Sequence, residues 1–123
     1  MSMDKLIEDV KKLVDEEYNR AAIKFGATNN SDHESYAVLL EELEEADAEL
    51  CQVQNQLEKF WLLTKANDSD ISKYSRLLEM ERRAVLAACE MIQVAAMAKK
   101  AALTVESGNV YVDMTEERSG ADG

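Results

Sequence analysis

Leu6, Val10, Leu13, Val14, Ala21 and Phe25, with Tyr18 between them, recur at steps of three and four residues. That is the period at which one face of an α-helix turns toward a core. The pattern predicts a first helix from Met3 to Phe25, ended by Gly26, where a left-handed cap costs glycine little. The next stretch, 26-GATNNSD-32, is a polar loop by composition. Ser31 followed by Glu34 has the spacing of a reciprocal capping box, in which each side chain satisfies a backbone N–H of the other residue. A second helix is therefore expected from near Asp32. Its apolar stripe, Tyr36, Leu39, Leu40, Leu43, Ala46, Leu50, Val53, Leu57 and Phe60, carries it to about Thr64. The run 67-NDSD-70 breaks the pattern and offers Asp68, Ser69 or Asp70 as the next N-cap.

The third predicted helix spans Ile71 to Leu103. It is amphipathic through Leu77 and Leu78 and apolar nearly all round from Ala84 to Ala98. A helix apolar on every side must be covered on every side. The expected architecture is thus all-α, an antiparallel bundle of three main helices. The first two cover only part of the third, so a second chain is expected to complete it. The helical domain is assigned to residues 1–104. Residues 105–123 read as a short polar tail, expected to be mobile, with one β-like patch at 110-VYV-112.

Composition agrees with helix: the 123 residues include no Pro and only four Gly, and Ala, Leu, Glu, Lys and Met lose little rotamer freedom in that conformation. A length of 123 residues suits one domain with a modest core. The net charge of −11 argues against a nucleic-acid polymer as partner, which requires a basic face, and against a polybasic membrane anchor. The N-terminus, MSMDKLIEDV, is acidic and amphipathic, unlike a secretory signal. The longest apolar run is interrupted by Glu90 and Gln93 and is too short for a membrane span. A cytoplasmic protein is the expectation. Cys51 and Cys89 fall inside predicted helices without a C-x-x-C partner and are expected to be reduced, partly buried thiols.

The candidate chemistry lies in the carboxylates. The second helix carries 41-EELEE-45 and then Glu49. At 100° per residue, Glu42, Glu45 and Glu49 line one flank of the apolar stripe, while Glu41 and Glu44 point further outward. A solvated acidic face is the competing reading. The third helix bears on the choice, because Glu90 and Gln93 lie one turn apart within 84-AVLAACEMIQVAAMA-98. A buried, ionised Glu is costly unless it is paired or coordinated. Arg82, Arg83, Lys99 and Lys100 are candidate counter-ions. The alternative is a divalent cation shared with the flank of the second helix, since hard cations such as Mg²⁺ take carboxylate oxygens and leave positions for water and phosphate. A dinuclear iron bundle needs two Glu-x-x-His pairs, and the single histidine, His33, lies far from Glu90 in the sequence. Trp61, Tyr36 and Phe60 have a shape that could stack on a base, but their helical spacing reads as core.

The pair Glu42-x-x-Glu45 on one helix with Glu90-x-x-Gln93 on a later one resembles the MazG-like all-α NTP pyrophosphohydrolase family, whose pattern is E-x-x-E followed by E-x-x-D. The likeness is closest to short phage and prophage members, in which a stretch like 33-HESYAVLLEELEEADAEL-50 precedes one like 89-CEMIQVAAMAKKA-101. It covers roughly Lys24 to Ala102, with the interior between the motifs aligned by helical pattern only. The resemblance implies cleavage of a nucleoside triphosphate between the α and β phosphates, with Mg²⁺ (or Mn²⁺) as cofactor. It implies Glu42, Glu45, Glu90 and Gln93 at the metal, Glu45 and Glu41 as catalytic carboxylates, and a homo-oligomer, dimer or tetramer. Gln93 stands where the family pattern has Asp, removing one negative charge. The spacer between the motifs is longer than in compact members, and no Lys stands just ahead of Glu41. Two other readings therefore stay open: a weak or inactive relative that binds a nucleotide or protein, and a structural helical oligomer in which Glu90 pairs with an Arg across an interface.

Overall fold

The computed structural model describes residues 2–119, with side chains as far as residue 108. It is all-helical over the described residues, with three helices packing against one another: α1 (Met3–Phe25), α2 (Asp32–Lys65) and α3 (Asp70–Ser119).

Each helix end has a local cause. Ser2 caps α1 by accepting the Lys5 N–H on its hydroxyl. Gly26 closes it with φ 99° and its N–H on Ala22 O at 2.8 Å. That positive φ is a region open chiefly to glycine. It is paired with ψ 158°, so the cap lies outside the left-handed helical region expected. At α2 the Ser31 hydroxyl takes the Glu34 N–H at 3.1 Å, as the capping-box spacing predicts. The reciprocal half differs: the Glu34 carboxylate accepts from Asn30 Nδ2 at 3.0 Å. A side-chain donor one residue nearer the loop takes the place of the backbone N–H. The far end of α2 closes through Asn67 in the left-handed region (φ 52°). Asp68 N donates to Leu63 O and Asn67 N to Thr64 O, the paired bonds of a Schellman motif. Ser69 is the N-cap of α3, its hydroxyl accepting the Ser72 N–H at 3.2 Å.

The third helix runs past its expected end at Leu103 to Ser119, and the expected β-like patch at 110–112 lies inside it. Gly108 sits within the helix with open space where a Cβ would be. An isolated helical glycine costs about 1 kcal/mol relative to alanine, too little to stop a long helix. The end of the tail, residues 120–123, lies outside the described residues.

The chain divides into two compact units, one formed by residues up to Leu40 together with those from Ala95 onward, the other by Glu41–Val94. In the first, Tyr18 and Ala21 of α1 and Ala96 of α3 are buried. Lys99 ties α3 to α1 through Asp15 at 2.8 Å and lies over the Tyr18 ring. The loop is fixed by Tyr18 Oη donating to Ala27 O, and by buried Asn29, whose N–H donates to Thr104 Oγ1 and whose Nδ2 donates to Ser35 Oγ.

The second unit is a helical hairpin of α2 and α3. Arg76 Nη1 donates to buried Gln56 Oε1 at 3.1 Å, and further along Arg83 Nη1 donates to Glu49 Oε2 at 3.4 Å. As position falls along α2 it rises along α3, so the pair is antiparallel. Ala46 is its buried apolar residue. Leu43, Leu50, Leu57, Leu62, Leu77, Leu78, Val85 and Met91 are exposed in the single chain. The expected core role of the aromatics is therefore corrected: Tyr36 and Trp61 are exposed and Phe60 is half-buried. The cysteines are corrected likewise, both being free and exposed. Each lies off the packed stripe of its helix. No helix among the described residues is long and apolar enough to cross a membrane.

Candidate metal centre

The hairpin brings the two sequence motifs together. Glu42 and Glu45 lie one turn apart on α2, and Glu90 comes from α3. Each offers a carboxylate oxygen, and these atoms all lie within 4.8 Å of one another. The spacing follows from the fold: a three-residue step keeps two side chains on one helical face, and the antiparallel partner supplies the third. Glu42 and Glu90 are half-buried and Glu45 is exposed, so the cluster has a protected side and an open one.

Within it, Glu90 is the member whose carboxyl faces acids. The Glu90 carboxyl is pushed above its ordinary value, first by burial, then by the Glu45 charge and a hydrogen bond with Glu45, and last by the Glu49 charge. Each influence opposes ionisation. The candidate counter-ions do not relieve it. Arg83 bonds to Glu49 and Glu79, and Arg82 bonds to Glu79. Lys99 and Lys100 belong to the other unit, where Lys99 pairs with Asp15.

Gln93 is half-buried one turn beyond Glu90 on α3. Glu41 is exposed, and it lies outside the group of oxygens formed by the other three carboxylates. The one feature that sequence reasoning left unassembled is the ion-pair network beside the cluster. Arg83 Nε donates to Glu79 Oε1 at 3.1 Å while Nη1 reaches Glu49. Arg82 Nη2 donates to the same Glu79 oxygen at 2.7 Å. Together these hold the Glu79 carboxyl down at about 2, with the Arg82 hydrogen bond the largest cause. The i, i+3 and i, i+4 spacings of Glu79 to Arg82 and Arg83 were readable as helix-surface pairs. The reach of Arg83 across to Glu49 required the hairpin register.

A hard divalent cation fits this donor set: three carboxylates from two elements, all oxygen donors, close enough to share one ion, with one side open to solvent. A divalent charge would also offset the burial and the neighbouring acids that raise Glu90. No protein-family model, curated protein or solved structure matches the chain.

Proposed function

We propose that the chain is a MazG-like nucleoside triphosphate pyrophosphohydrolase of the short phage or prophage type. It hydrolyses the bond between the α phosphorus and its bridging oxygen to release a nucleoside monophosphate and pyrophosphate. The observation that carries the reading is the convergence of Glu42, Glu45 and Glu90, with Glu90 facing other acids and paired with none of the arginines of its unit. Bound there, Mg²⁺ or Mn²⁺ would offset the charge of the triphosphate and lower the pKa of a water.

The chain's own residues divide the remaining work. Glu42, Glu45 and Glu90 would hold the ion, with the Gln93 amide oxygen as a neutral donor. Glu45, the exposed member, accepts the proton of the attacking water at a carboxylate oxygen. Glu41, exposed beside it, orients that water. The exposed leucines of the hairpin support a homo-oligomer, dimer or tetramer, as the working form. Its place of action is the cytoplasm.

The test is to incubate purified protein with each NTP and dNTP plus Mg²⁺ or Mn²⁺ and assay pyrophosphate. Release of pyrophosphate that Glu45→Ala abolishes is the expected result. Absence of cleavage at high enzyme concentration, or equal rates for Glu45→Ala and wild type, would sink the mechanism. Gln93 favours a second reading, a relative that binds nucleotide without cleaving it. A rise in melting midpoint with Mg²⁺ and nucleotide but no product would establish that form.

A further inference from the structure

A divalent cation offsets only part of the charge of a triphosphate, and the surrounding protein is acidic. A basic side chain on the same face, within reach of the phosphates, would offset the rest. Arg83 precedes Glu90 by two turns of α3, about 10 Å along the axis and roughly 20° round it. It is half-buried and aimed at α2, where its Nη1 meets Glu49, the residue one turn beyond Glu45. The neighbouring Arg82 bonds to Glu79, and Arg76, two turns further back, is engaged with Gln56 and Ser75.

The bonds of Arg83 are unequal. Its link to Glu49 is single and long, at 3.4 Å, whereas Nε holds Glu79 at 3.1 Å. A guanidinium has five N–H donors, and these two bonds leave most of the fork uncommitted. Glu79 is shared with Arg82, so it keeps a cation whichever way Arg83 turns.

We infer that Arg83 is a phosphate-binding residue of this site, anchored through Nε on Glu79 and exchanging its long bond to Glu49 for the terminal phosphate of a triphosphate held at Glu42, Glu45 and Glu90. The inference rests on the reading of the carboxylate cluster as a triphosphate-hydrolysing centre. The planar fork matches phosphate oxygens in pairs, which a lysine ammonium does not. Arg83 thereby selects triphosphates over diphosphates.

The experiment compares wild type, Arg83→Gln and Arg83→Lys in three measurements. These are KM and kcat for an NTP, inhibition by the matching NDP, and calorimetric affinity for tripolyphosphate with Mg²⁺. For Arg83→Gln the expected result is a rise in KM and a loss of tripolyphosphate affinity of about 10- to 100-fold, the range for charge-assisted hydrogen bonds. NDP inhibition should change less than about threefold, and Arg83→Lys should fall between. Unchanged KM and tripolyphosphate affinity in an enzyme that hydrolyses NTPs would overturn the role of Arg83 alone. Equal losses for NTP and NDP would do the same, since they would mark a structural clamp. A wild-type protein that neither hydrolyses NTPs nor binds tripolyphosphate would overturn both the hydrolase and this inference.

Discussion

Glu45 and Glu49 lie one turn apart on α2, and their surroundings differ. Glu49 meets Arg83, which is also bound to Glu79, which in turn is bound to Arg82. Every carboxylate of that group has a cation within 4 Å. Glu45 meets Glu42 and Glu90. The same residue type on the same helix thus stands beside a guanidinium at Glu49 and beside the Glu90 carboxyl at Glu45. Glu79 is held down at about 2 and Glu90 is pushed up. A fold with arginines at hand that leaves Glu90 without one stores an electrostatic deficit, which a divalent ion would fill.

The largest effect that would break this contrast is on hydrolysis. Glu45→Ala or Glu90→Gln should lower kcat/KM for NTPs by about 100-fold or more, since loss even of a residue that only supports a metal ligand costs 10- to 100-fold. Glu79→Gln, which loosens the anchor of Arg83 but removes no carboxylate of the cluster, should leave kcat within a few-fold and act on KM. Steady-state pyrophosphate assays on the three variants settle the order, and similar rates for all would remove the distinction between the clusters. Next in size is Gln93→Asp. Restoring a fourth acid next to Glu90 should tighten Mg²⁺ binding about tenfold and raise the rate at limiting Mg²⁺. An unchanged Mg²⁺ dependence would place Gln93 outside the coordination shell.

Stability against pH sharpens the contrast by opposite signs. A carboxyl raised in the folded state favours folding while protonated, and that contribution is lost as pH rises through its folded value. In metal-free buffer Glu90→Gln should therefore gain a few degrees in melting midpoint over wild type, with the gap opening as pH climbs above the ordinary carboxylate value of about 4.3. Glu79 behaves inversely. Its stabilising contribution is fully present above that ordinary value and is lost as pH falls toward about 2. The deficit of Glu79→Gln should accordingly close below pH ~4. Calorimetry from pH 3 to 8 on the three proteins reads both slopes. The smallest effect is expected at Glu41, exposed and outside the cluster: Glu41→Gln should slow hydrolysis by less than about tenfold, the lower bound for groups that act through a ligand.

The helices and most of their ends were legible in the sequence because each end is a local event: Gly26, Ser31 and Ser69 act on residues within four positions of themselves. The end of α3 was not. Gly108 and the polar residues around it look like a break, yet one glycine in a long helix lacks the strength of one. Burial was misjudged for Tyr36 and Trp61, since periodicity tells which residues share a face and not whether a single chain covers it, and for Cys51 and Cys89, which lie off the packed stripe. Glu42 and Glu45 were readable as a pair from their spacing, and Glu90 as an anomaly from its apolar context. That all three converge, and that Arg83 turns to Glu49 in preference to Glu90, depends on the register of α2 against α3, which no local pattern encodes.

The central claim is that Glu42, Glu45 and Glu90 form a cation site. Titrating Mn²⁺ into the metal-free protein, with free Mn²⁺ followed by electron paramagnetic resonance, tests it directly. Wild type and Glu79→Gln should bind one ion per chain with matching affinity, and Glu90→Gln should bind at least about tenfold more weakly. Equal binding by wild type and Glu90→Gln, or no binding by either, would contradict the account.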